Sequence, residues 1–261
     1  MATKKPTTQL NTWDEELARY AEVAAAEHSQ AAGVQNQISL KGATVNVGGT
    51  LVQGGTLSVI VLSDTQLNTY YRGGYNPTNP EGPCCFAFGA EVMTPHAASV
   101  SKQHTECASC PKNQFGSAMR DGKPAEGKAC NNTQRLMVLI AADLKTGKLL
   151  SPAELAKAPL WQLTISPTNV RNWAQYVVNL RHAVVRPPFG VLSQLRVSPD
   201  PKKQINVDWA MGRLLSNEEY SVIRDRREEA TDLMMVPFQT ILKGESPSTP
   251  QPAAKGKKKY V

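Results

Sequence analysis

The chain reads as mainly β with flanking helices, an α+β fold built on a Greek-key barrel. Three observations predict it. Short segments rich in branched residues, punctuated by glycines, stand on both sides of a central window at about residues 78–133. That window is poor in aliphatic residues and holds all five cysteines, Cys84, Cys85, Cys107, Cys110 and Cys130. Only one strongly amphipathic helix interrupts the later strands.

The elements follow in order. Residues 1–10 are polar and basic and read as disordered, without the apolar core of a signal peptide. Residues 13–32 carry Trp13, Leu17 and Ala24 at helical spacing, with Asp14, Glu15 and Glu16 in the first turn, Thr12 as N-cap and Gly33 as stop. Residues 1–33 thus form an arm and helix, suited to packing on the same domain or on a second copy. Strands are expected at 38–40, 43–47, 50–52 and 57–62, with turns at Gly42, Gly48-Gly49 and Gly54-Gly55. A loop from Tyr70 to Pro77 leads into the cysteine window. After it come strands at 135–140 and 160–165, a helix at 166–184 and a strand pair at 191–197 and 204–210 turned by Pro199-Asp200-Pro201. Ser216-Asn-Glu-Glu219 opens a charged helix to about Leu233 as a capping box. Trp161 and Trp173 fall in strong strand and helix patterns and belong to the core. Residues 34–242 are the core with its insertion, and 243–261 a basic tail that cannot build a core. This order suits an OB-like barrel interrupted between strands.

Cys107-Ala-Ser-Cys110 is a Cys-x-x-Cys knuckle with one cysteine upstream and one downstream. Four thiolates are what a tetrahedral, structural Zn²⁺ site takes. Cys85, Cys107, Cys110 and Cys130 are the expected ligands, with Cys84 the spare and His96 or His104 as rivals for one position. A closed thiolate shell leaves no open coordination position, so no catalysis is expected at the ion. His104-Thr-Glu106-Cys107 has the letters of a zinc deaminase signature, but there the His-x-Glu pair lies well upstream of the cysteines and the motif fails here. No phosphate-binding loop, His-Glu-x-x-His pair or nucleophile elbow occurs. The chain is expected not to be an enzyme. No run is long and apolar enough for a bilayer, and clustered reduced thiols suit a cytoplasm.

The run Pro83-Cys-Cys-Phe86, Cys107-Ala-Ser-Cys110-Pro-Lys-Asn113-Gln-Phe-Gly116-Ser117, Gly127-Lys-Ala-Cys130 and Arg135-Leu-Met-Val resembles a cysteine pattern of bacteriophage replication proteins. The 161–166 strand and 173–176 helix look like theirs as well. The resemblance covers residues 35–240. It implies a single-stranded DNA-binding protein with a zinc-ribbon insertion in an OB-like barrel, similar in layout to the helix-destabilising proteins of T-even phages. It also implies work in DNA replication or recombination in the host cytoplasm, beside phage or host replication proteins. Two departures stand out. The T-even proteins hold zinc with a histidine and three cysteines, and many single-strand binders end in an acidic tail where this chain ends Lys255-Gly-Lys-Lys-Lys259.

The net charge is +7, but six of those charges are Lys4, Lys5, Lys255, Lys257, Lys258 and Lys259. The body is therefore nearly balanced, and only a local cluster could draw a polyanion. Single-strand binders need aromatic faces for bases and cations for phosphates. Tyr70, Tyr71, Arg72 and Tyr75 precede the insertion, and Lys102, Lys112, Arg120, Lys123, Lys128 and Arg135 lie in or beside it. Phe86, Phe88 and Phe115 are further aromatics, each with a competing role in the small core of a knuckle. Arg171, Arg181 and Arg186 form a second basic set. Two other classes remain open: a zinc-ribbon module that docks on a host polymerase or virion protein, and a nuclease. The nuclease reading has only the ungrouped Asp64, Glu81, Glu91 and Asp143.

Overall fold

A computed structural model describes residues 17, 19, 20, 36–73, 82–89, 92–120 and 122–235. Most of the segment expected to form the N-terminal helix, Tyr75, Glu81, Glu91 and the basic tail lie outside the described residues, as does the side chain of Arg120. Among the described residues there are eleven strands: β1 (Gln37–Lys41), β2 (Thr44–Val47), β3 (Thr50–Val52), β4 (Thr56–Tyr70), β5 (Cys85–Gly89), β6 (Ala118–Arg120), β7 (Lys123–Ala125), β8 (Cys130–Ile140), β9 (Leu160–Ile165), β10 (Val191–Asp200) and β11 (Gln204–Leu214). Among the described residues three helices accompany them, α1 (Pro152–Lys157), α2 (Val170–Val184) and α3 (Asn217–Met234), and Leu17, Arg19 and Tyr20 are helical as well. The fold is mainly β with few helices, as expected.

Nine strands form one curled sheet in the order β11-β10-β4-β8-β9-β1-β2-β3, with β5 added to the far half of β4. Every pairing is antiparallel except β1 with β9. The curl brings the turn before β4 against β10. Gly55 sits there at φ +62°, and a Cβ would lie 2.9 Å from the Val197 carbonyl oxygen, so the approach requires glycine. Gly48 plays the same part for Trp161, whose ring would be 2.8 Å from an added Cβ.

Both faces of β4 and β8 are covered. On one face Leu57, Val59, Val61, Leu136, Val138 and Ile140 pack with Trp173, Tyr176 and Leu180 of α2. On the other, Ile60, Leu62, Met137 and Leu139 pack with Ile223, Ala230 and Met234 of α3. Double coverage explains the unbroken apolar runs in these strands. Fully buried Asn169 bolts α2 to β11: its Nδ2 donates to the Ile205 carbonyl at 3.1 Å, and its Oδ1 accepts from the Val207 N–H at 3.1 Å. Trp173 is core, as expected, and Trp161 is half-buried against the same cluster.

Several boundaries differ from the sequence reading. Helix α2 starts four residues later than Ser166, because Asn169 is spent on β11. β10 continues through Pro199 and Asp200, and the turn falls on 201–203, where the Asp200 carboxylate accepts from the N–H groups of Lys202 and Lys203. The α3 capping box forms as read, with Ser216 and Glu219 bonding each other's backbone N–H. Helix α1, opened by the Ser151–Glu154 capping box, was not expected.

Candidate functional site

The site grows from the far end of β4. A bulge between Val61 and Ser63 shifts the register against β8, so side chains swap faces there. The face that carries Leu57, Val59 and Val61 before the bulge carries Asp64, Gln66, Asn68 and Tyr70 after it. Their partners on β8 are Leu136, Gln134, Asn132 and Cys130. The α2 side of the sheet thus changes along its length from aliphatic to carboxamide to thiol. The ladder is hydrogen-bonded. Gln134 Nε2 and Trp173 Nε1 donate to Asp64 Oδ2 at 2.7 and 3.1 Å, and Asn132 Nδ2 donates to Asn68 Oδ1.

At the outer end Tyr70 pairs with Cys130 on one side and Cys85 on the other. Cross-strand partners share a face, so both cysteines flank the tyrosine ring. The knuckle supplies Cys107 and Cys110. Its turn is held by side chain to backbone bonds, Asn113 Nδ2 to the Cys107 carbonyl at 2.8 Å and Gln114 Nε2 to the carbonyls of Ala108 and Cys110 at 2.8 and 3.2 Å, and by one backbone bond from the Cys107 N–H to the Met93 carbonyl at 2.8 Å. All four of these cysteines line one cavity of about 20 Å³. That is room for a single water-sized body. Cys84 is turned away, its thiol donating to the Tyr70 carbonyl at 3.4 Å. His104 also lines the cavity, with Nδ1 3.4 Å from Ser109 Oγ, whereas His96 stacks on Phe86 at 5.0 Å.

Burial pushes the Cys130 thiol up to about 12, helped by the neighbouring thiols of Cys107, Cys110 and Cys85 and opposed by Lys128. Cys107 is raised by burial too, although a bond from Asn68 works against it. Thiols that feel one another this way are a donor set for a soft-tolerant divalent cation, which reverses the effect by binding thiolate. The chemistry of the four donors and the size of the cavity fit Zn²⁺. Among the described residues, no three Cys, His, Asp or Glu side chains already stand in ligating geometry.

The residues expected to meet nucleic acid divide into groups. Tyr70 is half-buried, lines the thiol cavity and has Lys112 Nζ 5.7 Å from its ring. Tyr71 is half-buried, and exposed Arg72 donates to Ser101 Oγ at 3.3 Å. Lys102, Lys112 and Lys123 are exposed, and Lys128 is half-buried with its Nζ 5.1 Å from the Phe115 ring. Phe86 is buried, but Phe115 is 81 % exposed. Arg135 does not belong with the surface cations. It is buried, donates from Nη1 to the Met234 carbonyl at the C-terminus of α3 at 3.0 Å, and lies 4.8 Å over the Phe88 ring. Strand alternation turns it toward α3, where it caps the helix; burial lowers its pKa to about 10. Arg171, Arg181 and Arg186 are exposed along and just after α2, a separate set.

Sequence reading missed the carboxamide ladder. Its one signal was the alternation Asp64, Gln66, Asn68 continuing a strand whose aliphatic part had ended. Among the described residues no helix is long and apolar enough to cross a membrane. Comparisons with protein-family models, with curated proteins and with solved structures find no match for this chain.

Proposed function

We propose that the protein binds single-stranded DNA along its cysteine insertion, without cleaving it, and that one Zn²⁺ held by Cys85, Cys107, Cys110 and Cys130 stiffens that insertion. The carrying observation is Phe115: a bare aromatic ring on a polar insertion, with Lys128 beside it and Lys112 in the same loop. A phenylalanine this exposed buries little surface within its own chain, whereas a base can stack on its face while the lysines meet phosphates. The zinc would act as a clamp on both ends of the loop and on the knuckle. In this reading the curled sheet is an OB-like barrel and the insertion a zinc ribbon. The setting is the one the resemblance implies, protection of exposed strands in phage replication or recombination in the host cytoplasm, with further copies and replication proteins as partners.

The test is fluorescence anisotropy with a labelled oligonucleotide at low salt, as single strand and as duplex. The wild type is expected to prefer the single strand. Phe115→Ala is expected to weaken it by about 1–3 kcal/mol, or roughly 5- to 150-fold. Added salt should weaken binding in proportion to the phosphates neutralised. No preference for single strands would sink the proposal.

A protein-docking role is the second reading. Val92, Phe115 and Met119 are all more than 60 % exposed on the insertion, and an apolar set of that kind also suits a protein partner. In that case Phe115→Ala leaves DNA affinity unchanged.

A further inference from the structure

The two helices that cover the sheet differ in charge. On α3 six carboxylates stand against three arginines, and Glu218, Asp225, Glu228, Glu229 and Asp232 are exposed. On α2 there is no carboxylate. No aspartate or glutamate occurs between Glu154 and Asp200, a stretch that holds Arg171, Arg181, His182 and Arg186. A nearly balanced body therefore has a basic side and an acidic side. At helical spacing Arg171, Gln175, Val178 and His182 form one stripe at i, i+4, i+7 and i+11, turned away from buried Trp173 and Leu180, with Arg181 on its border. All five are exposed, and so is Arg186 just past the left-handed Val185 that ends the helix. Among the described residues Arg171, Arg181 and Arg186 form no ion pair. Asp64 meets α2 through Trp173 Nε1, on the helix's inward face.

The stripe begins where the insertion ends. Val170, the first residue of α2, lines one hollow with Lys128 and with Cys107 and Ala108 of the knuckle. Lys128 stands beside the bare ring of Phe115, and Arg171 is the next residue after Val170. We propose that the bound strand continues from Phe115 along the outer face of α2, where Arg171, Arg181 and Arg186 each meet a phosphate. The inference rests on the single-strand reading above and extends it from one loop to a path across the body. Cations without carboxylate partners add nothing to the fold by pairing, whereas a solvated helix face ordinarily mixes both signs, as α3 does. Guanidinium groups take phosphate oxygens in pairs and read no base, so this part of the path is indifferent to sequence. The exposed carboxylates of α3 repel the same backbone and confine it to the α2 side.

The experiment is the salt dependence of binding to a labelled run of about twenty thymidines, using the full chain loaded with Zn²⁺. Each phosphate contact on a single strand adds about 0.7 to the slope of log affinity against log salt. The triple variant Arg171→Gln, Arg181→Gln, Arg186→Gln should have a slope shallower by about 2. Raising salt from about 50 to 200 mM should then cost it roughly twenty-fold less affinity than it costs the wild type. Arg171→Gln alone should give about a third of that change in slope, which keeps the test sound if the triple variant misfolds. Lys157→Gln with Arg224→Gln, exposed on α1 and α3 across the sheet, should leave the slope unchanged. Phe115→Ala removes a stacking face and no charge, so it should lower affinity at every salt with the slope unchanged. An unaltered slope in the triple and single arginine variants, with the wild type still preferring single strands, overturns the α2 path and leaves the single-strand reading standing. An equal loss of slope in the Lys157 and Arg224 variant also overturns the path, since the attraction would then belong to the whole molecule. Failure of the wild type to bind single strands at low salt overturns both.

Discussion

Strand β4 passes through two environments. Over its first half, Leu57, Val59, Ile60, Val61 and Leu62 are all at most 3 % exposed and lie between α2 and α3. Over its second half the partners are β5 and the cysteine insertion, whose own buried apolar cluster comprises Ala87, Met93 and Cys107. The first region is held by area removed from water. The second has little such area to remove, and depends on directed bonds: the knuckle turn, the amide ladder and, in the proposed reading, four metal–sulfur bonds. One continuous strand therefore joins a packed body to a segment whose order is chemical rather than hydrophobic.

Stripping the metal is the severest challenge to that contrast. With zinc bound by four thiols, purified protein should carry one ion per chain. Removing it with a chelator, or by Cys107→Ser with Cys110→Ser, should abolish amide-exchange protection across residues 85–130 and leave 136–140 protected. Equal loss in both segments would make the two regions one cooperative unit. Leu136→Ala should cost the body about 2–5 kcal/mol in urea unfolding, since the side chain is fully buried. A cost under about 1 kcal/mol would deny that packing holds this end.

Glu219 tests the body's edge. Arg213 Nη2 and Nη1 reach its two oxygens at 2.6 and 2.8 Å, and with the Ser216 N–H they hold its carboxyl down to about 2. A folded-state value below the unfolded one stabilises above the ordinary Glu range and is lost as pH falls through about 2. Arg213 is 41 % exposed, so water screens the pair. Glu219→Gln should therefore cost about 1 kcal/mol at neutral pH, mostly as the lost charge on the Arg213 pair, since glutamine can still close the capping box, and flatten the acid limb of the stability profile. The smallest effect is expected at Phe115→Ala, within about 0.5 kcal/mol in unfolding stability despite its loss of DNA affinity. A larger destabilisation would mean that the ring packs rather than presents.

How far the chain could be read depended on the kind of force at each place. The strands of the body were legible because burial writes a period of two or an unbroken apolar run into the sequence. The second half of β4 was not, because Asp64-Thr-Gln-Leu-Asn-Thr69 has Leu67 as its one aliphatic residue and the bulge at residue 62 reverses which positions face in. Helix α1 escaped for its brevity, six residues with one buried leucine, although its Ser151-x-x-Glu154 cap stood in plain view. The basic residues around the insertion were legible as a group and not one by one. Nothing local separates Lys128, beside an exposed ring, from Arg135, sealed against α3.

From residue order alone came the β-rich architecture, the capped α3 and the knuckle with its outlying thiols, since each rests on neighbours in sequence or on a repeating pattern. Folding in three dimensions settled which cysteine turns inward, which cation is hidden and which phenylalanine is bare. Those outcomes depend on strand register and on a single bulged residue. Such a shift moves side chains from one face of a sheet to the other and leaves no trace in composition.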